Sequence, residues 1–133
     1  MIQEHKELLL KDLSARLPYG VKIDNMGEPS MLTSINKKYR VIVEIAEVDK
    51  NSNFNPTRLV VLEIEDAKPY LFPLSSMTEE QEEEYQDLLD NQYSFDANGN
   101  IFTLQDFYCK YHLDYRGLIP IGAAIDATNK NIY

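Results

Sequence analysis

Two runs rich in β-branched residues do most to limit what this chain can become. Residues 39–48 read Tyr-Arg-Val-Ile-Val-Glu-Ile-Ala-Glu-Val, and residues 58–65 read Arg-Leu-Val-Val-Leu-Glu-Ile-Glu. Side chains branched at Cβ lose rotamer freedom in a helix and pack well on a pleated surface, so both runs are predicted strands. Arg40, Glu44, Glu47 and Glu63 give them one partly solvated face, as in an antiparallel sheet. The polar stretch 49–55, ending at Pro56, joins them. Upstream, Val21-Lys22-Ile23 alternates, Asp24-Asn25-Met26-Gly27 supplies turn residues, and residues 31–35 form a short strand before a tight turn at Asn36-Lys37-Lys38. The prediction for residues 21–66 is a four-stranded antiparallel meander.

Helical patterns flank this region. Leu9, Leu10, Leu13 and Leu17 recur at three- and four-residue spacing, with Glu7, Lys11, Asp12 and Arg16 read as the opposite, solvated face. Pro18 stops that helix, because proline lacks an amide proton and restricts the residue before it. Thr78-Glu79-Glu80-Gln81 fits a capping box, so a second helix is predicted from there to about Asp90. Residues 93–95 and 101–103, around Asp96-Ala97-Asn98-Gly99-Asn100, read as a hairpin with an Asn-Gly turn. A third helix is predicted from Thr103, with Asp106 completing its cap and Phe102 and Phe107 spaced as a hydrophobic staple. Residues 68–74 (Lys-Pro-Tyr-Leu-Phe-Pro-Leu) carry two prolines, which makes them a poor helix and a poor central strand; an extended, packed segment is expected. Residues 114–125 are read as a turn followed by a short buried helix, and residues 128–133 as frayed. The fold class that follows is α+β, with C-terminal helices packed on one face of the sheet. At 133 residues the chain is expected to form one domain.

Composition narrows the function classes. The formal charge is −9, which disfavours DNA, RNA and anionic membranes as direct partners. That charge is uneven: residues 1–70 sum to −1 and residues 71–133 to −8. Seven acids, Glu79, Glu80, Glu82, Glu83, Glu84, Asp87 and Asp90, crowd the second helix. Such a rod can dock a basic partner, imitate a nucleic-acid backbone, or serve as a solvated face. The least polar run, 117–125, is about half the ~20 residues needed to span a bilayer. The start of the chain lacks the pattern of a signal peptide, so a cytoplasmic location is expected. Oligomeric state is left open.

Reactive chemistry is sparse. Cys109 is the only cysteine, which excludes an internal disulfide and a cysteine-rich zinc site. Cys109 and His112, three apart on one helix, could chelate a metal with Asp106 or Asp114, or act as a thiol and its base. A thiolate needs a cation or a helix N-terminus, whereas Cys109 falls in the middle or late part of its helix. The segments 49–53 and 96–100 lack the glycine and acid that a calcium loop requires at its sixth and twelfth positions. The five glycines are isolated, so no phosphate-cradling loop exists. No metal and no cofactor is expected. Asp114-Tyr115-Arg116-Gly117 reads as a structural turn, with positive φ at Gly117 and Arg116 paired to an acid across the turn or to the C-terminal carbonyls of the preceding helix.

Three stretches carry a resemblance: residues 7–22 (Glu-Leu-Leu-Leu-Lys-Asp-Leu-Ser-Ala-Arg-Leu-Pro-Tyr-Gly-Val-Lys), 68–86 (beginning Lys-Pro-Tyr-Leu-Phe-Pro-Leu-Ser-Ser-Met-Thr-Glu-Glu-Gln) and 114–127 (Asp-Tyr-Arg-Gly-Leu-Ile-Pro-Ile-Gly-Ala-Ala-Ile-Asp-Ala). Together, over 49 of 133 residues, the chain resembles a family of small uncharacterised proteins of gut anaerobic bacteria and their phages or other mobile elements. It departs from that pattern in lacking lysines within the acidic helix and in having Tyr111-His112-Leu113 where a Trp-Leu-Asn-type stretch is usual. The resemblance implies a mobile-element setting and no particular activity. The functional expectation is a non-enzymatic interaction protein. Its contacts are expected at Glu80, Glu83 and Asp87 on the acidic helix and at Tyr70 and Phe72 in the proline-flanked segment. A nucleic-acid-mimicking inhibitor and a Cys109/His112 enzyme are the alternatives.

Overall fold

The computed structural model describes residues 1–37, 42–48 and 56–133. Helix α1 (Gln3–Arg16) leads into a 3-10 turn at Leu17–Tyr19, as the proline at 18 requires. Four strands follow as an antiparallel sheet in the order β1 (Lys22–Asn25), β2 (Glu28–Asn36), β3 (Ile42–Val48), β4 (Pro56–Glu63). The predicted meander is therefore present. The turn expected at residues 36–38, the start of the strand expected from 39 and the loop 49–55 lie wholly or partly outside the described residues.

The β1–β2 hairpin closes through Met26 and Gly27, with φ of 53° and 92°. Two consecutive positive φ values are what a two-residue hairpin needs to match the twist of its strands, and glycine adopts them without strain. The Gly27 amide donates to Asp24 Oδ1 at 2.9 Å. Between Leu32 and Ser34 the β2–β3 register shifts by one residue, and the Thr33 hydroxyl donates to the Glu44 carbonyl.

Ile23, Leu32, Val43 and Ile45 of the sheet share one core with Leu9 and Leu13 of α1 and with Leu71, Leu118 and Ala123. A second core gathers Leu88 of α2 (Glu79–Asn91), Phe107 of α3 (Leu104–Lys110) and Leu113, with Phe72, Tyr85, Tyr108 and Tyr111 packed against them. Between α2 and α3 lies the small hairpin β6 (Ser94–Phe95) and β7 (Ile101–Phe102). Both helices start with the expected capping boxes. Thr78 Oγ1 accepts from the Gln81 amide, and Thr103 Oγ1 accepts from the Asp106 amide.

Three readings change. Residues 68–74 contain a central strand: β5 (Tyr70–Pro73) lies between β8 (Leu113–Asp114) and β9 (Ile125–Asp126), parallel to both. Proline gives up only its N–H, and the Pro69 carbonyl still accepts from the Ile125 amide at 2.8 Å. The tail forms no helix, because the amides of Ala123 and Ala124 both return to the Leu118 carbonyl and close a turn ahead of β9. Residues 132 and 133 are tied down. The Tyr133 hydroxyl donates to the Tyr70 carbonyl and accepts from the Lys22 amide, each at 2.8 Å, while Lys22 Nζ reaches the Ile132 carbonyl.

Candidate functional site

Helix α2 presents its acids outward because its packing positions are few. Leu88 is buried and Tyr85 half-buried, and these side chains face the second core. Glu79, Glu80, Glu82, Glu83, Asp87 and Asp90 are all exposed. Glu84 is half-buried and accepts from the Tyr111 hydroxyl at 2.7 Å, which ties α2 to α3. Among the described residues, no lysine or arginine forms an ion pair with any α2 carboxylate. Glu79, Glu80 and Glu82 sit in the first turn, where the helix dipole favours them. Asp87 and Asp90 lie near the other end, where it does not. The negative field is thus uncompensated where it is least welcome to the helix.

The proline-flanked segment is placed differently from expectation. Tyr70 is 5% exposed, so it belongs to the interior rather than to a contact surface. Its hydroxyl donates to Asp24 Oδ1 at 2.8 Å. Burial, reinforced by that carboxylate, pushes the phenol up to about 12. Phe72 is half-buried, 6.0 Å from the Tyr133 ring. It lines a half-open hollow of about 320 Å³ with Ser76, Gln81, Tyr111 and Asn129.

The Asp114–Gly117 turn is built into the interior. Asp114 accepts from the amides of Leu118 and Ile119, one on each carboxylate oxygen and each at 2.9 Å. Gly117 has φ of 77°. Arg116 Nε lies 3.2 Å from Asp12 Oδ1, so its acid comes from α1 and not from across the turn. Asp12 Oδ2 accepts from Arg16 Nε at 2.7 Å, and Arg16 Nη2 donates to the Leu113 carbonyl. Asp12 and Arg16 are wholly buried, contrary to their reading as a solvated face. Burial raises the Asp12 pKa despite the two guanidinium groups. Tyr115 stacks on Tyr108 with ring centroids 4.6 Å apart, and the guanidinium carbons of Arg16 and Arg116 lie 5.4 and 4.7 Å from its centroid. Residues in this cluster hold α1, β8 and the turn together, and Arg16 has no exposed surface.

Cys109 is buried and His112 half-buried. The thiol is buried, and burial raises its pKa, the reverse of what a nucleophile needs. The His112 ring lies flat on Tyr133, centroids 3.6 Å apart. Its pKa falls to about 4, chiefly through burial and then through the nearby charges of Arg16 and Lys22. Among the described residues, no three His, Cys, Asp or Glu side chains converge in a group fit to hold a metal ion. No helix there is long and apolar enough to cross a membrane. No family model, curated protein or solved structure matches this chain. Its function must be argued from its own surface.

The state of His112 gives a pH prediction. An imidazole held below its ordinary 6.5 contributes stability above that pH, and the contribution is lost as pH falls towards 4. At full weight the depression is worth about 3 kcal/mol, and the ring's partial contact with water reduces this to roughly 1–2 kcal/mol. Thermal melts at pH 7 and pH 4 should therefore differ more in the wild type than in His112→Phe, which keeps the stacked ring but cannot titrate. Equal losses in the two proteins would show that protonation of His112 does not oppose folding.

Proposed function

We propose that the protein is a non-enzymatic accessory protein that docks a basic protein surface through the exposed face of α2, and that it acts in the cytoplasm of a host carrying a mobile element. The observation that carries the docking reading is the row of exposed, unpaired carboxylates on one helix. Charges that only solubilise are usually interspersed with the opposite sign, whereas α2 carries no lysine or arginine at all. The mobile-element setting rests on the resemblance over residues 7–22, 68–86 and 114–127. The raised thiol of Cys109 and the interior position of the arginine cluster favour binding over catalysis.

The test is charge reversal at Glu80, Glu83 and Asp87 to lysine. All three are exposed, so the melting temperature should hardly move. A lysine at 80 works against the helix dipole and one at 87 works with it, which balances most of what remains. Affinity capture from the native host should lose a partner whose retention by the wild type weakens as salt rises. Capture unchanged by the three reversals refutes the reading.

A further inference from the structure

Beside the acidic helix stands an exposed apolar surface. Phe95 and Ile101 are directly opposite each other across the β6–β7 hairpin, so their side chains share a face, and each is 63% exposed. Tyr93, two residues before Phe95, is 49% exposed and meets its ring edge-on at 5.7 Å. Strands of two residues have no stability of their own, so large apolar side chains in such a hairpin ordinarily turn into a core. Here they turn outward. The hairpin follows the last turn of α2 directly, and Phe95 and Glu84 line a common hollow of about 230 Å³. Lys110 borders that hollow but sits over the rings of Phe102 and Tyr111, at 5.6 and 5.0 Å. Glu84 of α2 and Asp96 at the hairpin turn both line that hollow, so carboxylates from the helix and from the hairpin stand beside Phe95.

Building on the docking role of α2, we infer that the partner is an amphipathic, cationic protein segment whose apolar face seats on Tyr93, Phe95 and Ile101 while its lysines and arginines meet the α2 carboxylates. Charge selects this occupant. A second copy would bring one acidic face against another, and nucleic acid or an anionic membrane would meet the same repulsion. Apolar burial in the centre with charges at the rim is the arrangement that stable protein interfaces favour.

The test uses the whole protein and two synthetic peptides of equal positive charge. One is an amphipathic helix of leucine and lysine with leucines at three- and four-residue spacing; the other is an oligolysine. Titration calorimetry should show the leucine-containing peptide binding roughly tenfold or more tightly. In the double variant Phe95→Ser, Ile101→Ser that advantage should vanish while oligolysine binding stays as it was. An advantage that survives the double variant overturns the inference and leaves the acidic-helix reading standing. Should charge reversal at Glu80, Glu83 and Asp87 leave both peptides bound as before, the acidic-helix reading itself fails.

Discussion

Replacing Arg16 by methionine should lower the unfolding free energy by about 3–5 kcal/mol, one of the two largest single losses we expect in this chain. The reason lies in what stays behind. Asp12 has no solvent contact, and one of its oxygens relies on Arg16 Nε at 2.7 Å. Without that guanidinium the buried carboxylate keeps only Arg116 at 3.2 Å, and the Leu113 carbonyl loses its buried donor. A buried ion costs several kcal/mol to desolvate, and a single long contact cannot offset that. The double variant Asp12→Leu, Arg16→Met should recover much of the loss, because a pair replaced by apolar side chains of similar size leaves no orphaned charge on α1. Urea denaturation of the two singles and the double measures the coupling, expected at about 2 kcal/mol or more. A loss below about 1 kcal/mol in Arg16→Met would mean that the cluster is hydrated rather than sealed.

That cluster also marks where the sequence stops being legible. The meander, the capping boxes and the β6–β7 hairpin are specified by residues close together in the chain, so periodicity and turn chemistry suffice to place them. Asp12 and Arg16 occupy the same stripe as Leu9 and Leu13, at spacings of three and four, so their helical positions alone match burial. Their charge argues the other way, and only Arg116 and Leu113, some hundred residues distant, settle the matter. The strands around β5 are similarly hidden. β8 and β9 are two residues each, too short for any periodicity, and they exist as strands because Tyr70–Pro73 lies between them. Tyr19 is another case: its hydroxyl donates to Asp106, joining the first turn after α1 to the cap of α3. For the candidate surface, the α2 acids were visible in the sequence, whereas the outward turn of Phe95 and Ile101 was not, since alternation says which residues share a face but not which face meets water. Tyr70 fails for the complementary reason. Flanking prolines suggested an extended segment that could not be a central strand, yet the Pro69 and Leu71 carbonyls accept from Ile125 and Ala127, and the Phe72 amide donates to the His112 carbonyl.

The second large effect concerns whether the two cores are one folding unit. Phe107 is wholly buried at the centre of the second core, with Tyr111, Tyr108 and Tyr85 rings at 5.1, 5.8 and 6.0 Å. Phe107→Ala should cost about 3–5 kcal/mol, from lost apolar burial plus the cavity that surrounding rings cannot fill. For a chain of this size that corresponds to a fall of roughly 10–20 °C in Tm. The form of the transition is the more informative result. Leu71 sits in the first core and its neighbour Phe72 packs against the second, because successive residues of β5 point to opposite faces. Loosening the second core therefore pulls on the strand that also fills the first. Near-UV circular dichroism reads the nine tyrosines, of which Tyr85, Tyr108 and Tyr111 pack in the second core, and far-UV reads the helices and the main sheet. Both signals should fall together in Phe107→Ala, and again in Leu71→Ala, where the damage starts from the other side. If the tyrosine signal of Phe107→Ala melted well below the far-UV signal, α2, α3 and the hairpin would be a separately unfolding unit, and β5 would not couple the cores.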